Sequence, residues 1–459
     1  MRLRSIVLLA LLLTAHAASA QMPPMPDMDQ PASAPAAQCM PGMDMPGCPW
    51  SVGTPAHHDM RLMDQMHPDS FLQQIQHHAT SGTTGEPNST PAPMLMSMHG
   101  EWMLMLHGLA FVSDLQQSGP RGGDKLFSTN WLMPMAEREL GSGQLTLRAM
   151  FSLEPATISA RRYPLLFQQG ETAFGRPIAD GQHPHDLFME LAALYDLRLG
   201  SQTLVSAYLA PIGDPALGPA AYPHRASAAE NPVATLGHHQ QDSTHIASDV
   251  LTVGITHRMV RLEASGFHGR EPDEQRWNID QGAIDSWSTR LTLQPGQNWS
   301  GQYSYGRVHS PEALAPSENQ DRMTASIMYN RPLAPHGNWA STVLWGRTRS
   351  SDGAVENSYL LESTLRLRKN NLWSRIEDAG RTSELLLGER PLPTGFIEEP
   401  LTHVQAYTFG YDRELAANIP HLSVALGGQI TAYGVGQPLR PVYGSHPVGG
   451  LIFLRLRPF

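Results

Sequence analysis

Soft sulfur donors and imidazoles crowd the N-terminal part of this chain. Twelve of its twenty-two methionines and both of its cysteines fall between Met22 and Met98. The methionines come in clusters: Met22, Met25 and Met28; Met40, Met43 and Met45; Met60, Met63 and Met66; and Met94, Met96 and Met98, followed by His99. A thioether is uncharged and soft, and sites built from thioethers and thiolates select Cu(I) over hard cations. Two or three thioethers converging from one flexible segment make a low-coordinate Cu(I) or Ag(I) site. His57 and His58, with His67, His77 and His78 nearby, add imidazoles suited to Cu(II). Cys39 and Cys48 bracket the second cluster. Oxidised, they close a small loop that presents Met40, Met43 and Met45; reduced, they are thiolate ligands. The bland alternative is a low-complexity linker, or an adaptable Met-rich surface that binds partners.

A second set of imidazoles lies much later. His183 and His185 stand in one long irregular segment, and His238 and His239 in another, with His224, Glu230, Asp242 and His245 close by. If the two segments fold towards each other, His183, His185, His238 and His239 converge as ligands for Cu(II), Zn(II) or Ni(II). They serve equally well as a packed polar plug or as exposed loop histidines. Ser243 and Asp242 beside His245 do not make a catalytic triad, which is defined by geometry and not by adjacency. Neither Gly-x-Ser-x-Gly nor His-Glu-x-x-His occurs, so the expectation is a protein that is not an enzyme.

The elements that must position these groups read as strands. After Met98, segments of about ten to fifteen residues alternate apolar with polar and are separated by turn residues. In Ser358–Arg368, Tyr359, Leu361, Leu365 and Leu367 lie on one side and Glu362, Thr364, Arg366 and Arg368 on the other. Every second link is short, as at Gly141–Gly143 and Lys369–Asn371, and those between are mostly long, as at Leu153–Pro184 and Gly213–Ser248. That asymmetry is the rule of outer-membrane barrels, with short turns in the periplasm and long loops outside. The expected fold is all-β, a transmembrane antiparallel barrel of about sixteen strands, or fourteen if one hairpin is split or a plug segment is counted as a strand. A soluble β-sandwich with one wet face is the alternative.

The ends and the composition agree. Met1–Ala20 has a basic start, a short apolar run and a small-residue cleavage site, the pattern of a secretory signal peptide. The last strand carries Ile452, Leu454 and Leu456 on one face, with Phe459 on the other. With 41% hydrophobic and 16% charged residues, the chain is lean in charge, as a barrel whose alternate residues face lipid must be. Its net charge of −10 excludes a nucleic-acid partner that relies on a basic surface. The expected domains are a signal peptide at 1–20, a disordered Met/His/Cys-rich periplasmic arm at 21–97, and an outer-membrane barrel at 98–459.

A Met- and His-rich arm followed by a barrel resembles the copper-resistance B-type outer-membrane proteins. The likeness covers the architecture and the methionine clusters, with no extended motif through the barrel. It implies copper or silver binding, tolerance or transport at the outer membrane, a copper ion held as Cu(I), and contact with membrane lipid and periplasmic copper proteins. The alternative function is a general or anion-preferring porin with an incidental Met-rich tail. In that case inward Arg290, Arg366, Arg368, Arg375, Arg455 and Arg457 favour anions, offset by Glu362 and Glu377.

Overall fold

A computed structural model describes residues 68–458, except 243–246, 334–335 and 417–418. Seventeen strands form one antiparallel sheet. The first, β1 (Leu95–His99), is a hairpin arm on the edge of the second. The other sixteen close on themselves: β2 (Trp102–Gln117), β3 (Asp124–Leu140), β4 (Gly143–Phe151), β5 (Phe188–Arg198), β6 (Thr203–Gly213), β7 (Ala247–His257), β8 (Val260–His268), β9 (Ser286–Gly296), β10 (Trp299–His309), β11 (Asn319–Leu333), β12 (Gly337–Ser350), β13 (Val355–Leu367), β14 (Asn370–Thr382), β15 (Pro400–Glu414), β16 (Leu422–Val435) and β17 (Val448–Pro458). Closure is direct, with Ala110 of β2 opposite Leu456 of β17. These strands correspond one to one with the sixteen that the alternation predicts.

The outward positions are apolar: Leu104, Leu209, Val253, Leu262, Ile327, Val343, Leu361, Ile376, Leu426 and Ile452 are all exposed. Trp299, Tyr329 and Trp339 contact one another near the short-turn end, and Trp287 meets Tyr305 nearer the long loops. An apolar band between aromatic girdles is how a barrel matches a bilayer. The inward face carries Arg, Glu, Ser, Thr and Asn, as at Arg290, Glu362 and Asn371. Arg368 departs from its predicted inward place. It sits in the turn between β13 and β14 with φ of 55° and is exposed, because the strand has already ended.

The lumen is filled by the chain itself. Residues 68–97, expected as the end of a disordered arm, fold with the barrel. A short helix, α1 (Phe71–Gln76), begins behind the Ser70 cap and buries Phe71, Leu72 and Ile75. The segment then rises to mid-barrel and returns. Arg148 of β4 donates to the carbonyls of His78 and Thr80 at 2.9 and 2.6 Å, and also to that of Gly82. On the way back Arg290 reaches Thr83 at 2.8 Å, and Ser89 reaches Asn330 near the short-turn end. Gly82 turns the tip with φ of +59°, and a Cβ there would lie 2.5 Å from Cβ of Asp214. A polar segment needs partners to become ordered, and the lumen supplies them.

The long loop 214–246 fills the lumen from the other end. Arg225 sits fully buried between Glu362 at 2.8 Å and Asp242 at 3.3 Å. Glu230 receives Arg366 at 2.7 Å and Arg457 at 3.1 Å, and pairs with Arg455 as well. The two fillers meet where the amide of Ala226 donates to Glu86 at 3.0 Å. Spaces of about 70, 30 and 40 Å³ remain between them and the wall, with a larger one of about 450 Å³ at the short-turn end.

Candidate functional site

The histidine-bearing loops do converge. His183 comes from the segment 152–187, which folds over the long-loop end, and His238 and His239 begin a one-turn helix, His238–Gln241, within loop 214–246. The ligand atoms of His183, His238 and His239 all lie within 4.8 Å of one another, and so do those of Glu171, His239 and Glu271. Their rings are close: His238 and His239 centroids are 4.9 Å apart, and His183 and His239 are 6.4 Å apart. His183 and His238 are buried and His239 is half-buried.

Fixed partners hold this arrangement. Nε2 of His183 lies 2.9 Å from Glu171, and its Nδ1 lies 2.9 Å from the Pro184 carbonyl. His238 is oriented by Asp242 at 2.8 Å and stands edge-on to Tyr222. A carboxylate behind an imidazole fixes its tautomer and raises its basicity as a ligand. Arg276 is 3.8 Å from Glu171 and 3.1 Å from Asp186, and Arg322 is 3.3 Å from Glu271.

The carboxyls of this region are buried and crowded together. Burial lowers His183 well below the usual histidine range, and Arg276 adds to this, so the ring is neutral with a lone pair to give. Burial raises the Glu171 carboxyl, against the attraction of Arg276. Glu271 is pushed up to about 7, chiefly by burial and then by Glu171. Neighbouring carboxyls Glu312, Glu384 and Glu398 are raised in the same way, by burial first. A bound cation relieves that crowding.

His185 does not join the cluster. Its Nδ1 is 3.0 Å from Oε2 of Glu154, which also accepts the His185 backbone amide at 2.8 Å, while Oε1 of Glu154 accepts the Asn130 amide at 3.2 Å. Burial lowers its pKa, but the Glu154 carboxylate outweighs this and leaves it raised. Through Glu154 the residue links the loop to Asn130 of β3. The sequence alone does not single out Glu171 and Glu271. Each stands in an ordinary loop context, and only the folding of three loops onto one point reveals them. Asp242 is committed to His238, Arg225 and the Tyr222 amide, while Ser243 and His245 lie outside the described residues. Also outside them are the arm candidates Met22, Met25, Met28, Cys39, Met40, Met43, Met45, Cys48, His57, His58, Met60, Met63 and Met66.

No family model and no curated protein matches the chain. Solved structures similar to it are porins or outer-membrane proteins. An anion-selective porin from Comamonas acidovorans matches 78% of this chain and all of its own, at 11% identity and a TM-score of 0.46. Salmonella typhi OmpF, in complex with daunomycin, matches 79% of this chain and all of its own, at 8% identity and a TM-score of 0.48. Pseudomonas putida OprB matches 78% of this chain and 94% of its own, at 7% identity and a TM-score of 0.49. What each of these conducts is a property of that protein. The barrel itself has a closed sheet, an apolar outer band and a mostly polar lumen, the architecture of an outer-membrane barrel.

Proposed function

We propose that this protein is a porin-like outer-membrane channel, closed by its own plug and loop, whose external mouth binds a divalent transition-metal cation. The observation that carries the reading is the convergence of His183, His238 and His239 with Glu171 and Glu271. Mixed imidazole and carboxylate donors suit Zn(II), Cu(II) and Ni(II). The short-turn end then faces the periplasm, together with the Met-rich arm that precedes residue 68. Copper or silver handling by that arm rests on its thioether clusters and on the resemblance to the copper-resistance proteins.

The anion-preferring alternative draws on the inward arginines. Arg290 lies 2.9 Å from Glu263, Arg375 lies 3.2 Å from Glu362, and Arg455 lies 3.1 Å from Asp412. Each is engaged by a carboxylate, but Glu263 is shared with Arg261 and Glu362 with Arg225, so the positive charge along the lumen is only partly offset. The decisive experiment is titration of the folded full chain with Zn(II) and Ni(II), beside the His183→Ala/His239→Ala variant. Affinity lost in the variant supports the reading; equal affinity removes the loop cluster from the mechanism. Reversal potentials in planar bilayers test the alternative, since anion preference in the open state would favour it.

A further inference from the structure

Seven methionines are buried among the described residues, and five of them stand on the inner faces of three adjacent strands. They are Met103 and Met105 on β2, Met133 and Met135 on β3, and Met150 on β4. Elsewhere the lumenal face is mostly polar or charged. Register brings the five into contact range. Met105 is opposite Met135, and His107 is opposite Met133. The pairing that sets Leu132 against Phe151 and Met135 against Arg148 puts Met133 level with Met150. Side chains directly opposite on one face have Cβ atoms about 4.5–5.5 Å apart, within the reach of two thioethers.

Two imidazoles complete the set. His224, from loop 214–246, places Nε2 3.1 Å from Sδ of Met150. His107 stands edge-on to Trp131 at 4.7 Å, and its ring centroid is 6.4 Å from that of His224. Nδ1 of His107 is buried and, among the described residues, has no hydrogen-bond partner. A buried ring nitrogen without a partner is costly in a structural role and natural in a ligand. The cavity of about 70 Å³ is lined by His107 and His224 together with Arg366 and Arg457.

We propose that Met133, Met150, His107 and His224 form a binding site for a soft monovalent cation, Cu(I) or Ag(I), with Met105 and Met135 beside it. The donors are two thioethers and two imidazoles. Soft sulfur selects the closed-shell monovalent ions over Mg(II) or Ca(II). The adjacent guanidiniums of Arg366 and Arg457 oppose a second positive charge, which disfavours Cu(II) and Zn(II). On binding, the lone pair of His107 Nδ1 takes the ion. His224 releases the Nε2 hydrogen now donated to Met150, and its proton moves to Nδ1.

The site also has an approach. In the hairpin of β1 on β2, Met98 is opposite Met103 and Met96 is opposite Met105. Met94 and Met96 pack against the same buried cluster. A mouth of about 450 Å³ at the short-turn end is lined by Met98, Met103, His77 and Glu137. Thioethers therefore run from the last methionine cluster of the arm up the inner wall. This goes beyond the external cluster and does not depend on it: the two sites use different donors.

The test is Ag(I) titration of the folded full chain in chloride-free detergent, with bound silver counted at saturation and tryptophan emission recorded. Trp131 packs 4.3 Å from His224, so silver in the site quenches it, and Trp131→Phe identifies that share of the quenching. Met133→Leu/Met150→Leu keeps the apolar volume and removes both thioethers. The expected result is one silver fewer per chain and loss of the Trp131 quenching. If that variant does not give a folded barrel, His107→Gln is read in the same way. An unchanged silver count, with all silver held by the arm, overturns the proposal. The His183→Ala/His239→Ala variant should keep its full silver count, so failure of the external site and failure of this one are told apart.

Discussion

The two ends of the lumen hold imidazoles in opposite company. At the long-loop end, His183, His238 and His239 sit among carboxyls on three separate loops. At mid-barrel, His107 and His224 sit among thioethers fixed on strands. The first setting is acidic and built from movable parts. The second lies beside the Arg366 and Arg457 guanidiniums, and its sulfur donors hang from a hydrogen-bonded sheet. The difference teaches that donor chemistry and scaffold rigidity are assigned together here: hard donors lie where ions arrive from water, soft donors where the wall is dry. Loop 214–246 joins the two, giving His224 to one and His238 and His239 to the other. Movement of that loop would disturb both sites, whereas changes confined to the plug should separate them.

The largest expected effect comes from Arg148. Its guanidinium lies 2.7 Å from Glu190 and holds three carbonyls of the plug, all in the barrel interior. Arg148→Met leaves Glu190 buried without its cation, a loss of about 3–5 kcal/mol. Hydrogen exchange should show residues 78–85 losing protection, while Zn(II) binding at the far end stays at the wild-type value. If Zn(II) affinity falls equally, the two regions are one cooperative body and the contrast is broken. Next in size is His183→Ala/His239→Ala, for which calorimetry should show about 100-fold weaker Zn(II) binding, about 2.7 kcal/mol. Met105→Leu should be smallest, costing below about 1.5 kcal/mol in thermal or denaturant unfolding, because the swap conserves volume. A larger loss would mean that Met105 is itself a ligand in the site as isolated.

Strand positions are legible in the sequence because lipid on one side and polar lumen on the other impose period two on every wall segment. Leu361 beside Glu362 is enough to orient β13. The short turns and long loops are legible from glycine and asparagine spacing. The partners of the external histidines are not, since Glu171 and Glu271 meet His239 only through the packing of three loops. The plug escapes the sequence for a related reason. Beyond the helical spacing of Phe71, Leu72 and Ile75, residues 68–93 have little apolar periodicity of their own, and the order of the segment after α1 comes from Arg148, Arg290 and Asn330, which lie far away in sequence. The methionine wall leaves one local sign. Met103 and Met105 alternate with Leu104 and Leu106, so this stretch is apolar on both faces in a barrel whose inner face is mostly polar. A doubly apolar strand within a wet barrel marks an inner surface with its own purpose.

Glu86 offers a finer way to separate the plug from the two sites. It accepts the Ala226 amide at 3.0 Å where plug and loop meet. Burial pushes its carboxyl up to about 7; the Ala226 hydrogen bond and Arg225 pull it down, and Glu362 adds to the rise. His77 from the plug, His107 from the wall, His224 from the loop, and Arg366 and Arg457 line the same cavity. Linkage sets the sign. A carboxyl whose docked pKa lies above its free value of 4.5 binds its proton more tightly when docked, so its contribution is complete below pH 4.5 and is lost as pH rises through about 7. Between pH 6 and pH 8 this one proton weakens plug docking about tenfold. Hydrogen exchange at Thr80–Gly85 should quicken by that factor in the wild type. Glu86→Gln, which cannot titrate, should show a flat profile after correction for the intrinsic exchange rate. A Glu86→Gln chain that kept the same slope would assign the pH response to the surrounding histidines, and the junction of plug and loop would then share its titration with the neighbourhood of the inner site.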